Sequence, residues 1–338
     1  MRLVTYNVEW FDALFDEEGA LIDDDGWSGR QDVTRAAQTE ALGAVFQALE
    51  ADAVLVVEAP DQGRKRQTVR ALESFAARFD LRMRKAVMGF KSDTQQELAL
   101  LFDPDVVSHV AHDPMGPDMG APRFDGLYQL DLDTDATPDP VVFSKPPLEL
   151  QVQTADGRAL RLIGVHAKSK APHGAKSPKE VMAISIANRR KQLAQCIWLR
   201  KRVEAHLQAG DSVIVMGDFN DGPGLDAYEQ LFGRSSVEIV LGEGSAHPLF
   251  DPHAHQALSR PVGARLATAR FYIQREDRYL SALLDYIMVS DDLRAEGPRW
   301  RIWHPFDDPA CYHDPSLREA LLTASDHFPV SIDLPSLV

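Results

Sequence analysis

The residues best suited to chemistry are carboxylates, amides and histidines at the ends of predicted strands. In layered α/β folds, binding and catalytic groups concentrate where strands end. Such positions are occupied by Asn7, Glu9, Glu58, His166, Asp218, Asn220, Asp326 and His327. Asp285 differs because it lies within the apolar stretch 284–289, where a carboxylate without a partner is costly.

These side chains offer the donor atoms that a hard divalent cation prefers. Mg²⁺ and Mn²⁺ bind oxygen ligands, and a cation held by one or two carboxylates keeps positions open for a phosphate oxygen. The oxygen donors are Asn7, Glu9, Glu58, Asn220 and Asp326. His166 and His327 could transfer protons or stabilise charge, and Asp285 could orient an imidazole. The set predicts metal-assisted attack of water on a phosphoester.

Each of these signals also has a purely structural interpretation. Residues 213–220 could form a strand that ends in an Asp/Gly turn, and residues 325–327 a turn that caps an anion. Asp285 could be a structural carboxylate bound to the backbone. The joint occurrence of all these features in this order favours the catalytic interpretation.

Hydrophobic periodicity predicts the elements that position these residues. The chain opens as a β-α-β unit, and Asp156-Gly157 predicts the turn of a hairpin. Helices are predicted at 34–49, 67–79 and 178–207, the last with Ser177 as its N-cap. Strands are predicted at 3–8, 53–57, 81–87, 98–102, 106–110, 141–143, 148–153, 160–165, 213–216, 283–289 and 330–334. Loops are predicted at 113–122 and 241–263.

Length and composition are those of a globular protein. The 338 residues are 44% hydrophobic and 26% charged, without a linker or repeat, so we expect residues 1–338 to form a single domain. Apolar stretches are far shorter than the ~20 residues that cross a bilayer, and no signal peptide is visible, so we expect a cytoplasmic protein. Cys196 and Cys311 fit neither a disulfide framework nor a zinc site.

The net charge of −15 would repel nucleic acid unless basic residues were concentrated somewhere. They are: residues 158–202 contain twelve Lys and Arg but only one acid, Glu180. A solvated helix face would explain the basic residues beyond Lys176. Lys168 and Lys170 adjoin His166, however, and we expect them to contact a phosphate.

The order of these motifs resembles that of the endonuclease/exonuclease/phosphatase superfamily, which has the DNase I-like fold. The resemblance extends along nearly the whole chain and rests on residues 6–9, 58, 164–166, 217–220, 284–286 and 325–329. It implies an α/β (α+β) fold: a two-sheet β-sandwich flanked by helices, in four layers. It also implies Mg²⁺ or Mn²⁺ at the sheet edges and hydrolysis of phosphodiesters or phosphomonoesters.

The resemblance implies which residues form the acidic, metal-binding side of the site. Glu58 and Asn7 would hold the metal, directly or through water, and Asp326 would complete the acidic site. Glu9 stands where nuclease members often have Asp or Asn. Its side chain is one methylene longer, which makes its part in metal binding the weakest of these assignments.

The resemblance also implies which residues act on the phosphate. Asp218 would position or deprotonate the attacking water, with Asn220 beside it. His327, supported by Asp285, would face the phosphoryl group. His166 would lie near the scissile phosphate, at a place where family members have His or Tyr.

Three functions remain open from the sequence. A nuclease is the leading hypothesis because the basic stretch adjoins His166. A phosphatase or phospholipase-like phosphodiesterase acting on small or lipid phosphates is favoured by the overall acidity and by Lys168-Ser169-Lys170. A non-catalytic binding module of the same fold is the third, although the intact acidic set argues against it.

Two further groups have a structural and a functional interpretation. Trp10, Phe11 and Trp27 could stack bases or simply pack in the core. A second cluster could bind another metal, or belong to a mobile loop on the substrate side; it comprises His247, Asp251, His253 and His255.

Overall fold

The structure of the chain is a computed structural model. It describes residues 1–92, 94–112, 121–131, 138–172, 174–222, 233–259, 266–273 and 277–335. The strands in these residues are β1 (Arg2–Asn7), β2 (Ala53–Ala59), β3 (Lys85–Met88), β4 (Glu97–Phe102), β5 (Val107–His112), β6 (Tyr128–Leu130), β7 (Asp139–Val141), β8 (Leu148–Thr154), β9 (Ala159–His166), β10 (Val213–Asp218), β11 (Ala269–Ile273), β12 (Arg278–Ala282), β13 (Asp285–Val289), β14 (Arg299–Ile302) and β15 (Val330–Asp333).

Along the chain, most helices of the described residues connect strands of the two large sheets. They are α1 (Arg35–Leu49), α2 (Thr68–Arg78), α3 (Pro178–Gln208), α4 (Ser236–Leu241), α5 (Pro252–Ser259), α6 (Asp291–Ala295), α7 (Pro309–His313) and α8 (Pro315–Ala324), with a 3-10 turn at Phe11–Leu14. The long helix α3 begins as predicted, because the Ser177 side chain accepts a hydrogen bond from the Glu180 amide and Pro178 occupies the first turn.

Two mixed sheets form the centre of the molecule. One has six strands in the order β14-β15-β1-β2-β4-β3, and the other has five in the order β13-β10-β9-β8-β5. In each sheet one central pair is parallel, β1 with β2 and β9 with β10. The parallel pairs place the ends of those four strands side by side, at the edge where the candidate site lies.

Alternation along the strands explains the four layers. In β10, Ile214 and Met216 pack between the two sheets, whereas Val213 and Val215 pack against α3 and α4. The outer face of the six-stranded sheet packs against α1, α2 and α8. Because both faces of each central strand are covered, these strands consist of continuous apolar residues. The predicted two-sheet sandwich flanked by helices is confirmed.

The main error of the sequence prediction is the loop at 241–263. Residues 252–259 form α5, which begins after Asp251, and the Asp251 carboxylate accepts hydrogen bonds from the amides of His253 and Ala254. The elements β14, α8 and the β11–β12 pair were also not predicted. Much of the predicted loop at 113–122 lies outside the described residues.

Candidate active site

The ends of four strands meet at one edge of the sandwich. β1 ends at Asn7 and β2 has a bulge at Glu58, while β9 ends at His166 and β10 at Asp218. The two sheets are in contact at this edge, since Nδ2 of Asn7 donates to Oδ2 of Asp218 over 3.1 Å. The strand-end residues predicted from the sequence are therefore brought together by the sheet topology itself.

These residues line an open cavity of about 490 Å³. Every predicted site residue contributes to its wall except Asp285 and Lys170. Four of the lining residues have a left-handed backbone: Glu9, Trp10, Glu58 and Asn220, with φ of 49°, 57°, 63° and 49°. For residues other than glycine this conformation costs about 1–3 kcal/mol each, and such strain clusters at functional sites.

The strain at Glu58 has a visible structural cause. The pairing of β2 with β4 shifts register between Val57 and Ala59, so that Glu58 forms a bulge. Its Oε2 accepts a hydrogen bond from the Trp10 amide, and its Oε1 lies 3.9 Å from Nε2 of His166. The bulge thus directs a carboxylate into the cavity that a regular strand would not place there.

Asp285 and His327 form a buried pair at the base of the site. Oδ2 of Asp285 lies 2.8 Å from Nδ1 of His327, and both side chains are buried. Nε2 of His327 lies 4.0 Å from carboxylate oxygens of both Asp218 and Asp326. Burial opposes a charge on His327, but the surrounding carboxylates outweigh it, Asp285 foremost, and hold the imidazole pKa well above its ordinary value. These carboxylates therefore favour the imidazolium form of His327.

Asp218 is held by three donors. Its oxygens accept hydrogen bonds from the backbone and side-chain nitrogens of Asn220 and from the side chain of Asn7. Burial raises the pKa of Asp218 to about 7; the Asp285 charge adds to this and His327 opposes it. A carboxylate that takes up a proton near neutral pH suits the role of a general base.

The pKa of His166 is shifted in the opposite direction from that of His327. Burial lowers its pKa well below the ordinary value, and the neighbouring Lys145 and His327 lower it further. Its Nε2 lies 3.0 Å from Nζ of Lys145. His166 is therefore a neutral imidazole, and its neighbour Lys145 is a cavity residue that no sequence motif indicated.

Glu9 and Lys170, which were predicted to bind metal and phosphate, form ion pairs with other residues. Oε2 of Glu9 contacts the guanidinium of Arg30 and accepts a hydrogen bond from the Asp326 amide, so Glu9 fixes the loop before β15. The Arg30 charge neutralises it, which argues against direct metal binding. Lys170 does not line the cavity and forms an ion pair with the fully buried Asp221, which corrects the expected phosphate contact.

The basic stretch at 158–202 is not a continuous positive track. Seven of its twelve basic residues form ion pairs with acids elsewhere in the chain: Arg158, Arg161, Lys170, Arg189, Arg190, Arg200 and Arg202. Lys168 is the lysine of the stretch that lines the cavity. The expected concentration of free positive charge is therefore much smaller than the composition indicates.

The three aromatic residues predicted either to stack bases or to pack in the core differ in their exposure. Phe11 is fully buried in the core, so it cannot stack a base. Trp10 is 43% exposed and lines the cavity, whereas Trp27 is 69% exposed but does not line it. Phe271, which no sequence pattern indicated, also lines the cavity and packs edge-on against His327, with ring centroids 5.5 Å apart.

The second predicted cluster does not gather into a metal site. Asp251 is fully buried, with one oxygen capping α5 and the other accepting from the Ile287 amide. His253 lies 4.0 Å from the Asp251 carboxylate, whereas His255 lies 3.7 Å from Glu243 and stacks on Phe250. These residues belong largely to a capped helix and not to a mobile loop.

The residues at the cavity fit a divalent cation. Ligand atoms of Asp218, Asp285 and His327 lie within 4.8 Å of one another, close enough to hold one ion. The imidazolium form of His327 does not bind metal, however, so the cavity-lining oxygens of Glu58, Asn7 and Asp326 fit better. Burial also raises the pKa of Asp326 to about 7, with Glu9 adding to the shift. A divalent cation would stabilise this set of desolvated carboxylates.

Comparison with known proteins agrees with this arrangement. The sequence profile of the Endonuclease/Exonuclease/phosphatase family matches residues 4–327. No curated protein has a sequence that matches the chain. Among the helices of the described residues, none has the length and apolarity needed to cross a membrane.

Several solved structures are similar in fold. Truncated TDP2 from Caenorhabditis elegans is 14% identical, with 98% of this chain and 96% of that chain covered and a TM-score of 0.51. The 3′ phosphatase NExo from Neisseria, bound to a product DNA hairpin, is 16% identical, with 99% of each chain covered and a TM-score of 0.50. An AP endonuclease from Archaeoglobus fulgidus is 12% identical, with the same coverage and a TM-score of 0.52.

Proposed function

Because the chain belongs to the endonuclease/exonuclease/phosphatase family and is a hydrolase of phosphoester bonds, we propose that it is a divalent-metal-dependent phosphodiesterase, with nucleic acid as its leading substrate. The observation that carries the proposal is the placement of an imidazolium, His327, and a proton-accepting carboxylate, Asp218, 4.0 Å apart in one cavity. Relatives of the fold that are a 3′ phosphatase bound to DNA and an AP endonuclease support a nucleic-acid substrate.

The proposed reaction is attack of water on the phosphorus atom. Asp218 accepts the proton of the water, while Asn7 and Asn220 hold the carboxylate in position. The bond from water oxygen to phosphorus forms as the bond to the leaving oxygen breaks; the leaving oxygen departs with the electron pair and takes up a proton from solvent water. The His327 imidazolium donates a hydrogen bond to the phosphoryl oxygen, where negative charge accumulates.

The metal would be Mg²⁺ or Mn²⁺, held by Glu58 and Asn7, directly or through water. When bound, it would polarise the phosphoryl group and offset its charge. Asp326 completes the acidic side of the cavity, and Lys168 provides a cation for the phosphate.

A second candidate is a phosphatase or phosphodiesterase for small phosphates. It is favoured by the ion pairs of seven basic residues in the stretch, because they leave less free charge to bind a long polyanion. The cavity chemistry is the same in both cases, so the two candidates differ in substrate size.

A substrate panel tests the proposal. The purified protein with Mg²⁺ or Mn²⁺ is assayed on plasmid DNA, RNA, bis-p-nitrophenyl phosphate and p-nitrophenyl phosphate, with Asp218→Asn as the inactive control. We expect hydrolysis of a polynucleotide and of the small diester. Turnover of either small phosphate without hydrolysis of DNA or RNA would favour the second candidate, and activity equal in Asp218→Asn would refute the assignment of the site.

A further inference from the structure

Lys145 lies in the wall of the cavity, three residues before β8. Its ammonium is within hydrogen-bond distance of Nε2 of His166, at 3.0 Å. Most of the side chain is buried; burial lowers the Lys145 pKa, Glu58 and Asp218 oppose this, and the nearby Lys168 adds to it. The cation is therefore close to both the acidic side of the site and the second cavity lysine.

The hydrogen bond to His166 uses only part of the ammonium's capacity. An ammonium has three donors and no acceptor, so Nε2 of His166 must be the acceptor and the ring proton must be on Nδ1. Nδ1 is buried and has no partner among the described residues. His166 therefore acts as a neutral acceptor that holds the ammonium, which leaves two N–H groups for an anion in the cavity.

A buried glutamine on α3 places both lysine segments. Oε1 of Gln195 accepts a hydrogen bond from the Lys168 amide, and its Nε2 donates to the carbonyl of Val142, each over 3.1 Å. Gln195 is 4% exposed, so this link is well shielded from water. One side chain thus holds the segment before Lys145 and the segment of Lys168 in register.

We propose that Lys145 is a catalytic residue that contacts the scissile phosphoryl group together with Lys168, with His166 as its anchor. The inference rests on the proposed function, since it needs a phosphoryl group in this cavity. The anionic phosphoryl oxygens accept the two remaining N–H groups of Lys145, and the hydrogen bonds strengthen as negative charge accumulates on those oxygens. Such a role explains a half-buried cation that lines an open cavity.

The alternative is that Lys145 merely offsets the charges of Glu58 and Asp218. The two roles predict different changes in the affinities for Mg²⁺ and phosphate when Lys145 is replaced. A counter-ion repels a metal held by the same carboxylates, so its removal would tighten Mg²⁺ binding and would weaken phosphate binding much less than the loss of a direct hydrogen bond. A phosphate-contacting cation is needed for phosphate affinity itself.

The test measures inorganic phosphate binding and catalysis in the same variants. Binding of phosphate to the Mg²⁺-saturated protein is measured by titration calorimetry, and kcat/KM is measured on bis-p-nitrophenyl phosphate. The variants are Lys145→Gln, Lys145→Arg and, as a matched control, Lys201→Gln, which removes an exposed lysine of α3. Thermal melting of each variant checks folding, and Lys145→Met replaces Lys145→Gln if that variant does not fold.

We expect Lys145→Gln to weaken phosphate binding and to lower kcat/KM, each by at least about tenfold, as for a lost charge-assisted hydrogen bond. Lys145→Arg should recover part of both, and Lys201→Gln should match the parent protein. An unchanged value of either quantity in Lys145→Gln would overturn the proposal. If the parent protein binds phosphate but hydrolyses no substrate, the proposed function is overturned. Whether Lys145 contacts phosphate is then decided by comparing the phosphate affinity of the parent protein with that of Lys145→Gln.

Discussion

The pairing of Asp285 with His327 predicts the effect of removing a single negative charge. Asp285→Asn keeps the shape of the side chain but removes the charge that faces Nδ1 of His327 at 2.8 Å. Both side chains are at most 6% exposed, so water screens their interaction little. Asp218 and Asp326 remain 4.0 Å from Nε2, and the imidazolium keeps part of its stabilisation.

The expected loss follows from the strength of this contact. A hydrogen bond between charged groups contributes about 1.5–3 kcal/mol. If that stabilisation is needed in the transition state, kcat falls by about 10- to 150-fold, since each 1.36 kcal/mol is a factor of ten. The loss should appear in kcat more than in KM, because substrate need not contact Asp285.

The pH profile gives a second, independent readout. Burial lowers the His327 pKa, but Asp285 and the other carboxylates raise it well above its ordinary value. The imidazolium is the active form and persists until the pH exceeds that raised pKa. Asp285→Asn removes the largest raising influence, so the pKa falls and the alkaline limb of kcat moves to lower pH.

The assay compares the parent protein with Asp285→Asn, His327→Ala and the double variant over a range of pH. Residues that act as a unit are non-additive, so the double variant should lose little beyond the worse single variant. Asp291→Asn, at an exposed acid of α6, is the matched control. Losses that multiply in the double variant, or an alkaline limb that does not move, would refute the dyad.

Two further predictions concern pH and salt. Burial raises the pKa of Asp218 and Asp326 to about 7, so these cavity carboxylates lose their protons and add negative charge beside the metal site as the pH rises from 6 to 8. Mg²⁺ affinity should therefore rise over this range, and a pH-independent affinity in calorimetry would contradict the assigned acidic site. With Lys145 and Lys168 as the cavity cations, log K for a polynucleotide should fall with log salt by roughly 1.4–1.8, from 0.7–0.9 per contact, and a slope several times steeper would indicate a longer basic track.

The central strands could be predicted because both of their faces are buried. β2 and β10 consist almost entirely of apolar residues, and the polar residues that follow them are therefore conspicuous. The Asp285–His327 pair was predictable for a related reason. A carboxylate inside an apolar strand requires a partner, and the motif containing His327 supplied one.

The remaining features of the site could not be predicted, because they depend on contacts between residues that are far apart in the sequence. Arg202 and Glu149 form a buried ion pair across 53 positions, so the charge of the basic stretch could not be distinguished from free charge in the sequence. Lys145 is functional only because its segment packs beside His166. The helix α5 did have a signal, Asp251 before Pro252, but the segment was predicted as a loop.

The dependence of activity on a metal held by Glu58 tests the central claim most directly. Hydrolysis of bis-p-nitrophenyl phosphate is measured against Mg²⁺ concentration for the parent protein and for Glu58→Gln, which keeps the shape but removes the charge. We predict no activity in EDTA, recovery on addition of Mg²⁺ or Mn²⁺, and a requirement for at least about tenfold more metal in Glu58→Gln. Activity of the parent protein in EDTA, or full activity of Glu58→Gln at limiting metal, would contradict the account.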